Sequence, residues 1–341
     1  MGNQCLAKLF STHIGIDLGT ANCLVYVRDH GIVLNEPSFV AIKKATHEVI
    51  AVGNDAKRMW GKFPAGLEGK RPLQDGVIAD FEVTEDMLRI FIQKALRSVP
   101  WNKRILHPRV LVAVPSGITE VGNRAVKDSA KRAGAGEVIL VEEPMAAAVG
   151  VGLPVADPTG SMIVDIGGGT TEVAVISLSG IVSSKSVNVG GDELEKAITQ
   201  YMKKVYNLNI GPQMAEEIKI KLGSVYPVKD EERMDVRGLD LACRMPKYVN
   251  ISAAEIRQAL QEPVTSIIEA VRGTLDLCPP DVAADLLTRG IMLAGGGALL
   301  CGLDKLLTEE IGMPVFVSED PLNAVVKGTG VMLQEDNIWS N

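Results

Sequence analysis

The chain has 341 residues, of which 46% are hydrophobic and 23% are charged, and its formal net charge is −7. This length and composition suit two domains with large apolar cores, and the negative charge argues against nucleic acid as the main partner. Five scattered cysteines without a C-x-x-C pair indicate reduced thiols rather than a disulfide framework or a zinc site. The N-terminus runs directly into a strand and no apolar run reaches membrane-spanning length, so we predict neither a signal peptide nor a transmembrane helix.

The N-terminal segment, residues 1–12, is short and mixed in character. If it is helical, Cys5, Leu6, Leu9 and Phe10 share one face. An apolar face of this kind predicts an amphipathic anchor at a membrane surface. A frayed tail is the alternative.

A glycine hairpin follows at residues 13–27. An apolar strand ends at Asp17, the chain turns at Gly19, and a second apolar strand begins after Asn22. Glycine lets the backbone turn tightly and approach a ligand closely, and successive amides in such a turn form a concave nest for anions. Thr20 and Asn22 add side-chain donors, so we predict a site for phosphate.

An outgrowth is predicted after the hairpin. Apolar strands cover 31–42 and 49–53, a helix covers 54–60, and residues 61–76 are rich in glycine, proline and charge. We therefore predict a first domain at 13–150 that carries a small subdomain at 32–76.

A helix is predicted from Thr84, which we expect to be its N-cap, to the residue before Pro100. The loop at 101–106 places apolar Trp101, Ile105 and Leu106 among basic residues. Such a loop suits insertion into a lipid surface. Packing on the neighbouring helix is the alternative.

Alternating strands and helices complete the first half. A buried strand at 109–114, a helix at 119–133, a strand at 137–141 and a small-residue helix from Pro144 follow one another. This order is typical of α/β domains.

A second glycine hairpin at residues 161–176 matches the first. Its strand ends at Asp165, its turn is Gly167–Gly169, and Thr170 and Thr171 supply hydroxyl groups. Neither turn leads into a helix, so the P-loop and dinucleotide motifs are excluded. Two matching hairpins, one opening each half of the chain, predict a polyphosphate held from both sides.

Asp17 and Asp165 then form a pair with a chemical role. A carboxylate beside phosphate is repelled unless a cation lies between them, and magnesium is commonly held by one or two carboxylates together with phosphate oxygens. The alternative is two ordinary hairpins whose aspartates cap turns.

The remaining elements follow the same plan. We predict a strand at 181–189, helices at 193–206 and 213–222, short strands within 225–251, and a helix from Ser252 to about Leu277 that is interrupted near Pro263. A third glycine loop, 295–297, joins a strand to a helix that reaches Ile311, and its backbone can lie flat against a purine ring.

The last predicted helix, 321–333, contains Gly328 and Gly330. These glycines suit close packing at a cleft, a hinge, or simple helix packing. We predict a second domain at 151–322, with a small subdomain at about 190–251. The C-terminal segment, 323–341, is predicted to return to the first domain.

Taken together, these motifs resemble the actin superfamily, which includes actin, the Hsp70 ATPase domain and sugar kinases. Within it the chain is similar to bacterial actins of the MreB family, from about residue 13 to 335. Long matching runs lie at 32–38, 76–81, 141–148 and 160–177. One departure is Cys23, where the family usually has threonine; we expect a small effect.

The resemblance implies an α/β, actin-like ATPase fold of two similar domains, each with a smaller subdomain, and ATP in the cleft between them. Asp17 and Asp165 are expected to hold Mg²⁺ through water. Glu143 is expected to position the attacking water, helped by Thr170. The residues expected to contact the nucleotide are Gly19, Thr20, Ala21, Asn22, Gly167, Gly168, Gly169, Thr170, Glu216, Lys219, Gly295, Gly296, Gly297 and Ala298.

The implied function is that of a cytoplasmic, membrane-associated cytoskeletal ATPase. Such proteins form paired homopolymeric filaments on the inner face of the cytoplasmic membrane, where membrane proteins of cell shape and wall synthesis are their partners. The filaments guide peptidoglycan synthesis and maintain rod shape, and slow ATP hydrolysis regulates their turnover. The alternative is a sugar or acid kinase of the same superfamily, for which we find no spare carboxylate motif.

Overall fold

The computed structural model describes residues 12–100, 107–227 and 232–334. Among these, the chain divides into two compact units. The first unit contains the residues up to Pro158, the segment Ile176–Ile181 and the residues from Leu322 onward. The second unit contains Thr159–Val175 and Val182–Pro321.

The first unit combines a large sheet, two smaller sheets and helices. Its strands are β1 (His13–Leu18), β2 (Asn22–Val27), β3 (Gly31–Pro37), β4 (Val40–Lys43), β5 (Val49–Val52), β6 (Leu67–Lys70), β7 (Leu73–Gln74), β8 (Val77–Ile78), β9 (Arg109–Val114) and β10 (Glu137–Glu142). Its helices up to Pro158 are α1 (Asn54–Arg58), α2 (Phe81–Arg97), α3 (Glu120–Arg132) and α4 (Glu143–Gly150).

The large sheet of the first unit has the order β10-β9-β1-β2-β3. The predicted hairpin is confirmed, since β1 pairs antiparallel with β2, and Asp17 lies opposite Leu24. On its other side β1 runs parallel to β9. Strand β1 is buried on both faces, with Ile14 and Ile16 inaccessible to solvent, so the sheet holds its first turn on a rigid support.

Helix α2 begins earlier than predicted. Its N-cap is Asp80, whose carboxylate accepts a hydrogen bond from the amide of Val83 at 3.2 Å. Thr84 is therefore not the cap: it lies within the first turn and donates to the carbonyl of Asp80 at 2.7 Å. The expectation was wrong because the apolar spacing already begins at Val83, and aspartate is as good an N-cap as threonine.

The second unit repeats this construction. Its strands are β11 (Ser161–Ile166), β12 (Thr171–Ser177), β13 (Gly180–Val187), β14 (Leu208–Asn209), β15 (Arg233–Asp240), β16 (Pro246–Ser252), β17 (Ile291–Ala294) and β18 (Val315–Val317). Its helices are α5 (Gly191–Tyr206), α6 (Pro212–Leu222), α7 (Ala253–Ala259), α8 (Gln261–Asp276), α9 (Pro280–Arg289) and α10 (Leu303–Ile311). A last helix, α11 (Ala324–Met332), groups with the first unit.

The two large sheets have the same topology. The second has the order β13-β12-β11-β17-β18, so its hairpin β11-β12 lies beside the parallel strand β17 as β1-β2 lies beside β9. The smaller sheets are β5-β4-β6 in the first unit and β14-β15-β16 in the second. The predicted repetition of one plan is thus present at the level of strand order.

The helix predicted from Ser252 with an interruption near Pro263 is present as two helices, α7 and α8, which meet at Leu260. Pro263 lies in the first turn of α8, where a missing amide costs little, so the break precedes the proline. Helix α9 was not predicted, although Pro280 in its first turn and the buried Leu286 are both helix signals.

The limit of the first unit lies at Pro158 rather than at the predicted residue 150. Backbone hydrogen bonds account for this difference. Leu153 donates to the carbonyl of Ala148 at 2.9 Å, and Ser179 donates to that of Val155 at 2.7 Å, which ties the segment after α4 and the β12-β13 turn together. Across the described ranges, no helix is both long and apolar enough to cross a bilayer.

Candidate functional site

The first glycine turn is held by side chains from outside the hairpin. The hydroxyl of Ser38 donates to the carbonyl of Gly19 at 2.6 Å. The amide of Gly76 donates to the hydroxyl oxygen of Thr20 at 3.1 Å, and Thr20 is buried. Ser38 and Gly76 were not predicted to belong to this site because no local pattern links them to a turn so far away in sequence. They fix the turn before any ligand binds.

Asp17 stands at the base of this turn. Part of the residue reaches solvent, but its carboxyl group is enclosed by protein, and this desolvation raises its pKa to about 7. Such a carboxyl group favours a cation as its neighbour. On the adjacent strand, Cys23 is buried, and desolvation together with the charges of Asp17 and Glu36 raises the pKa of its thiol, which keeps it protonated and unreactive.

The second turn is closed by a hydrogen bond from the amide of Gly167 to the carbonyl of Thr170 at 2.8 Å. The start of α5 is bonded to the same turn: the amide of Gly191 donates to Gly167 O at 3.0 Å, and that of Asp192 donates to Gly168 O at 2.8 Å. In a trans peptide the carbonyl and the next amide point in opposite directions. The amides of Gly168 and Gly169 therefore point away from α5, in the orientation that an anion nest requires.

The third glycine loop lies against the end of β11, within the second unit. Gly295 has φ = 77°, and a Cβ there would lie 2.4 Å from a carboxylate oxygen of Asp165. A Cβ at Gly297 would lie 2.1 Å from the side chain of Ile166. The loop requires glycine for this approach as well as for the left-handed backbone of Gly295. The fold thus brings the predicted metal residue Asp165 and the predicted adenosine loop together.

The 295–298 segment differs from prediction in its local structure. It does not lead directly into an α-helix; Gly296–Leu299 is a short 3₁₀ helix, and α10 starts at Leu303. Gly302, with φ = 79°, separates the two elements. A left-handed residue cannot continue an α-helix, so the chain breaks there.

Helix α6 carries the other predicted nucleoside contacts, Glu216 and Lys219. The ammonium of Lys219 donates to the carboxylate of Glu195, on α5, at 2.6 Å. It also lies 3.0 Å from the position of a Cβ on Gly191. Lys219 is therefore close to the point where α5 is bonded to the second turn. Glu195 was not predicted, since nothing local pairs two residues on separate helices.

Glu143 and Thr170, the predicted catalytic residues, are both buried. Glu143 is the first residue of α4, directly after β10. The hydroxyl of Ser116 donates to the neighbouring carboxylate of Glu142 at 2.7 Å, which fixes the end of the strand from which Glu143 emerges. Ser116, two residues beyond the end of the adjacent strand β9, is a further residue that sequence reasoning missed.

The donors present fit magnesium. Asp17 and Asp165 offer the oxygen ligands that this cation prefers, and Asp165 is buried. Within residues 12–100, 107–227 and 232–334, no group of three or more His, Cys, Asp or Glu side chains is arranged to hold a metal. Each aspartate separately offers carboxylate oxygens, which Mg²⁺ accepts alongside water and phosphate oxygens.

The predicted membrane contacts lie outside the described residues. They are Leu6, Leu9, Phe10, Trp101, Ile105 and Leu106.

The repeated sheet topology and the three glycine turns define an α/β fold of the actin-like class. Crystal structures of MreB5 from Spiroplasma citri have the same fold. The ADP-bound structure matches with a TM-score of 0.91 and 38% identity, covering 97% of this chain and 99% of that one. The AMPPNP-bound structure matches with a TM-score of 0.90, also at 38% identity, covering 96% and 98%.

The chain belongs to the MreB/Mbl family: the family profile described as MreB/Mbl protein matches residues 11–340. It is 53% identical over 330 residues to the cell shape-determining protein MreB of Escherichia coli (strain K12), covering 96% of this chain and 94% of that protein. The MamK double helical filament matches with a TM-score of 0.80 at 20% identity, covering 95% of this chain and 99% of that chain. At this identity the match shows a shared fold and nothing more. These matches support an actin-like cytoskeletal role and do not favour the kinase alternative.

Proposed function

We propose that the protein is an actin-like ATPase that binds Mg²⁺–ATP, assembles into filaments of its own copies and hydrolyses ATP slowly to regulate their turnover. The observation that carries this proposal is the pair of glycine hairpins, each with an aspartate at the end of its first strand. Nucleotide in the solved MreB5 structures supports it.

The chain supplies binding, orientation and charge. The amides of Gly168 and Gly169 and the turn at Gly19 bind phosphate oxygens, and Asp17 and Asp165 hold Mg²⁺ through water. Magnesium, when bound, would neutralise part of the negative charge of the phosphates. Hydrolysis of a phosphoanhydride then depends mainly on the position of the attacking water.

Glu143 is the residue that positions this water. It is the first residue of a packed helix and is buried, which restricts the positions open to its side chain. Thr170 assists from the second turn. Whether Glu143 takes the proton or only orients the water is a question for the pH dependence of turnover, since a true base adds its own pKa to the profile.

Membrane attachment and shape maintenance complete the proposal. The E. coli relative is a cell shape-determining protein, and we infer the same role here, with filaments on the inner face of the cytoplasmic membrane and wall-synthesis proteins as partners. The apolar residues of the N-terminal segment and of the loop 101–106 are the proposed membrane contacts.

The test combines phosphate release with light scattering at increasing protein concentration in Mg²⁺–ATP. We expect both signals to rise together above a threshold, because a head-to-tail contact that does not close gives an open filament. Asp165→Ala should abolish turnover and disturb assembly. The matched control is Asp281→Ala, an exposed aspartate in the first turn of α9.

Two outcomes would contradict the proposal. Normal hydrolysis by Asp165→Ala refutes the metal role. ATP consumption that is proportional to protein concentration and rises only when a sugar or acid is added supports a kinase. Negative-stain images with ATP separate a filament from amorphous scattering.

A further inference from the structure

Glu195 and Lys219 form an ion pair between α5 and α6 that the proposed mechanism does not use. The ammonium nitrogen and the carboxylate oxygen are 2.6 Å apart, and the two side chains are only 21% and 14% exposed. A charge-assisted hydrogen bond this well enclosed fixes a lysine that would otherwise sample many rotamers. The pair therefore gives the Lys219 ammonium a defined position.

That position is beside the second glycine turn. Lys219 lies over Gly191, the first residue of α5, where a Cβ would come within 3.0 Å of the ammonium nitrogen. Gly191 is bonded in turn to the carbonyl of Gly167. A side chain at position 191 would push against the Lys219 ammonium. Glycine at this position therefore leaves room for the ion pair.

The ammonium lies on the side of the turn that α5 occupies, while the amides of Gly168 and Gly169 point the other way. Phosphate oxygens accept hydrogen bonds from the amide side. The ammonium is thus on the side opposite the amides, which agrees with the prediction from the sequence that Lys219 contacts the nucleoside rather than the terminal phosphates. The hydroxyl groups of a ribose and the nitrogens of a purine both accept hydrogen bonds from an ammonium.

The surroundings of Glu195 are acidic. Burial raises the pKa of its carboxyl group, Asp192 and Glu216 raise it further, and Lys219 opposes these effects. Lys219 thus favours the ionised form of this carboxyl group, and the carboxylate fixes the position of the Lys219 ammonium. Removal of either partner is expected to affect the other, the condition for strong coupling between two residues.

We propose that Glu195 is a positioning residue for nucleotide binding: it holds the Lys219 ammonium where that group contacts the nucleoside of a bound adenine nucleotide. This rests on the proposed nucleotide binding. Glu195 itself is not expected to touch the ligand.

The experiment is isothermal titration of the full chain with Mg²⁺–ADP and with Mg²⁺–AMPPNP. Glu195→Gln should weaken both ligands on the order of tenfold, the loss that one charge-assisted hydrogen bond to a ligand would bring. The same factor is expected for both nucleotides, because they share the nucleoside and differ at the terminal phosphate. Turnover at saturating ATP should change much less than KM.

A double-mutant cycle distinguishes positioning from a general structural effect. In a Lys219→Met background, Glu195→Gln should cause no further loss of affinity, since Glu195 then has no ammonium to hold. The matched control is Glu193→Gln on the same helix, which removes an exposed ion pair with Lys196 at 2.8 Å and should leave affinity unchanged. Thermal unfolding of each ligand-free variant reports folding separately.

Whether Glu195→Gln weakens or tightens nucleotide binding decides the outcome. If Glu195 only reduced the positive charge near the nucleotide, Glu195→Gln would tighten binding, and the proposal would be overturned. Unchanged affinity, or equal losses in the wild-type and Lys219→Met backgrounds, would overturn it as well. If the wild-type chain bound neither nucleotide, the proposed function would fail instead, so the two failures are distinguishable.

Discussion

Asp17 shows how one residue can be unfavourable for the fold and yet suit the proposed metal site. Its carboxyl group has an ordinary pKa of 3.8 but a pKa of about 7 in the folded protein because burial disfavours the charged form. The ligand-free protein therefore carries a poorly solvated negative charge at neutral pH. A cation bound nearby would relieve this cost, which is consistent with a role in holding magnesium.

The pH dependence of stability follows from this shift. Between about pH 4 and pH 7 the folded state retains a proton on Asp17 that the unfolded state releases, so the free energy of unfolding of the metal-free protein falls as pH rises through that interval. At about 1.4 kcal/mol per pKa unit, the loss is on the order of 4 kcal/mol. Asp17→Asn should lack this dependence and be the more stable protein above neutral pH.

Urea unfolding in the presence of EDTA, at several values of pH, measures this effect. Asp55→Asn is the control, because Asp55 is a largely exposed aspartate of the same unit. An Asp17→Asn variant with the same pH slope as the wild type would contradict the argument. When Mg²⁺–ATP is added, the wild type should become more stable than Asp17→Asn, since only the wild type gains binding energy from the metal.

At the scale of elements, the packing of α4 on α11 is the feature that most closely supports a predicted catalytic residue. A Cβ on Gly328 would lie 1.7 Å from the carbonyl oxygen of Ala146, and one on Gly150 would lie 1.8 Å from that of Ala324. The two helices therefore meet backbone to backbone. For the glycines of the last helix we considered close packing at a cleft, a hinge and simple helix packing. Simple helix packing explains why position 328 is glycine. Helix α4 begins with Glu143, so this contact also fixes the backbone from which that carboxylate extends.

Gly328→Ala tests the contact between these helices. The added methyl group must push them apart, and we expect a loss of about 1–3 kcal/mol in the free energy of unfolding, together with reduced ATP turnover as Glu143 moves. The control is Gly273→Ala within α8, where a Cβ would meet only the end of the Lys185 side chain at 2.8 Å. That variant should be neutral or gain up to about 1 kcal/mol from helix propensity.

Urea unfolding and phosphate release measure the two variants side by side. A Gly328→Ala protein as stable and active as Gly273→Ala would show that the helices can separate without cost.

At the scale of the whole molecule, net charge limits how the protein can bind a membrane. With a formal net charge of −7 the chain as a whole is repelled by anionic lipid, so we expect the proposed attachment to depend on apolar insertion. The combined variant Leu6→Ser, Phe10→Ser, Ile105→Ser and Leu106→Ser should therefore stop pelleting with vesicles. The control is Val121→Ser, an exposed apolar residue on α3.

Sedimentation with phosphatidylcholine vesicles, with and without phosphatidylglycerol, measures this binding. Pelleting of the combined variant at the wild-type level would refute the proposed anchor. Binding that needed phosphatidylglycerol and disappeared at high salt would indicate an electrostatic mechanism instead.

The sequence by itself determined the hairpins, the glycine turns, the alternating α/β order and the family. These features depend on residues that are close in the chain, where periodicity and turn chemistry act directly. It failed where two local signals competed: Asp80, not Thr84, is the N-cap of α2.

Only the tertiary structure decided which distant residues meet. The pair Glu195–Lys219, the glycine loop against Asp165, and the contact of Gly328 with Ala146 join segments far apart in the chain. The raised pKa of Asp17 likewise depends on burial by neighbouring elements. A sequence pattern records what each residue prefers, but desolvation and close approach exist only once the chain has folded.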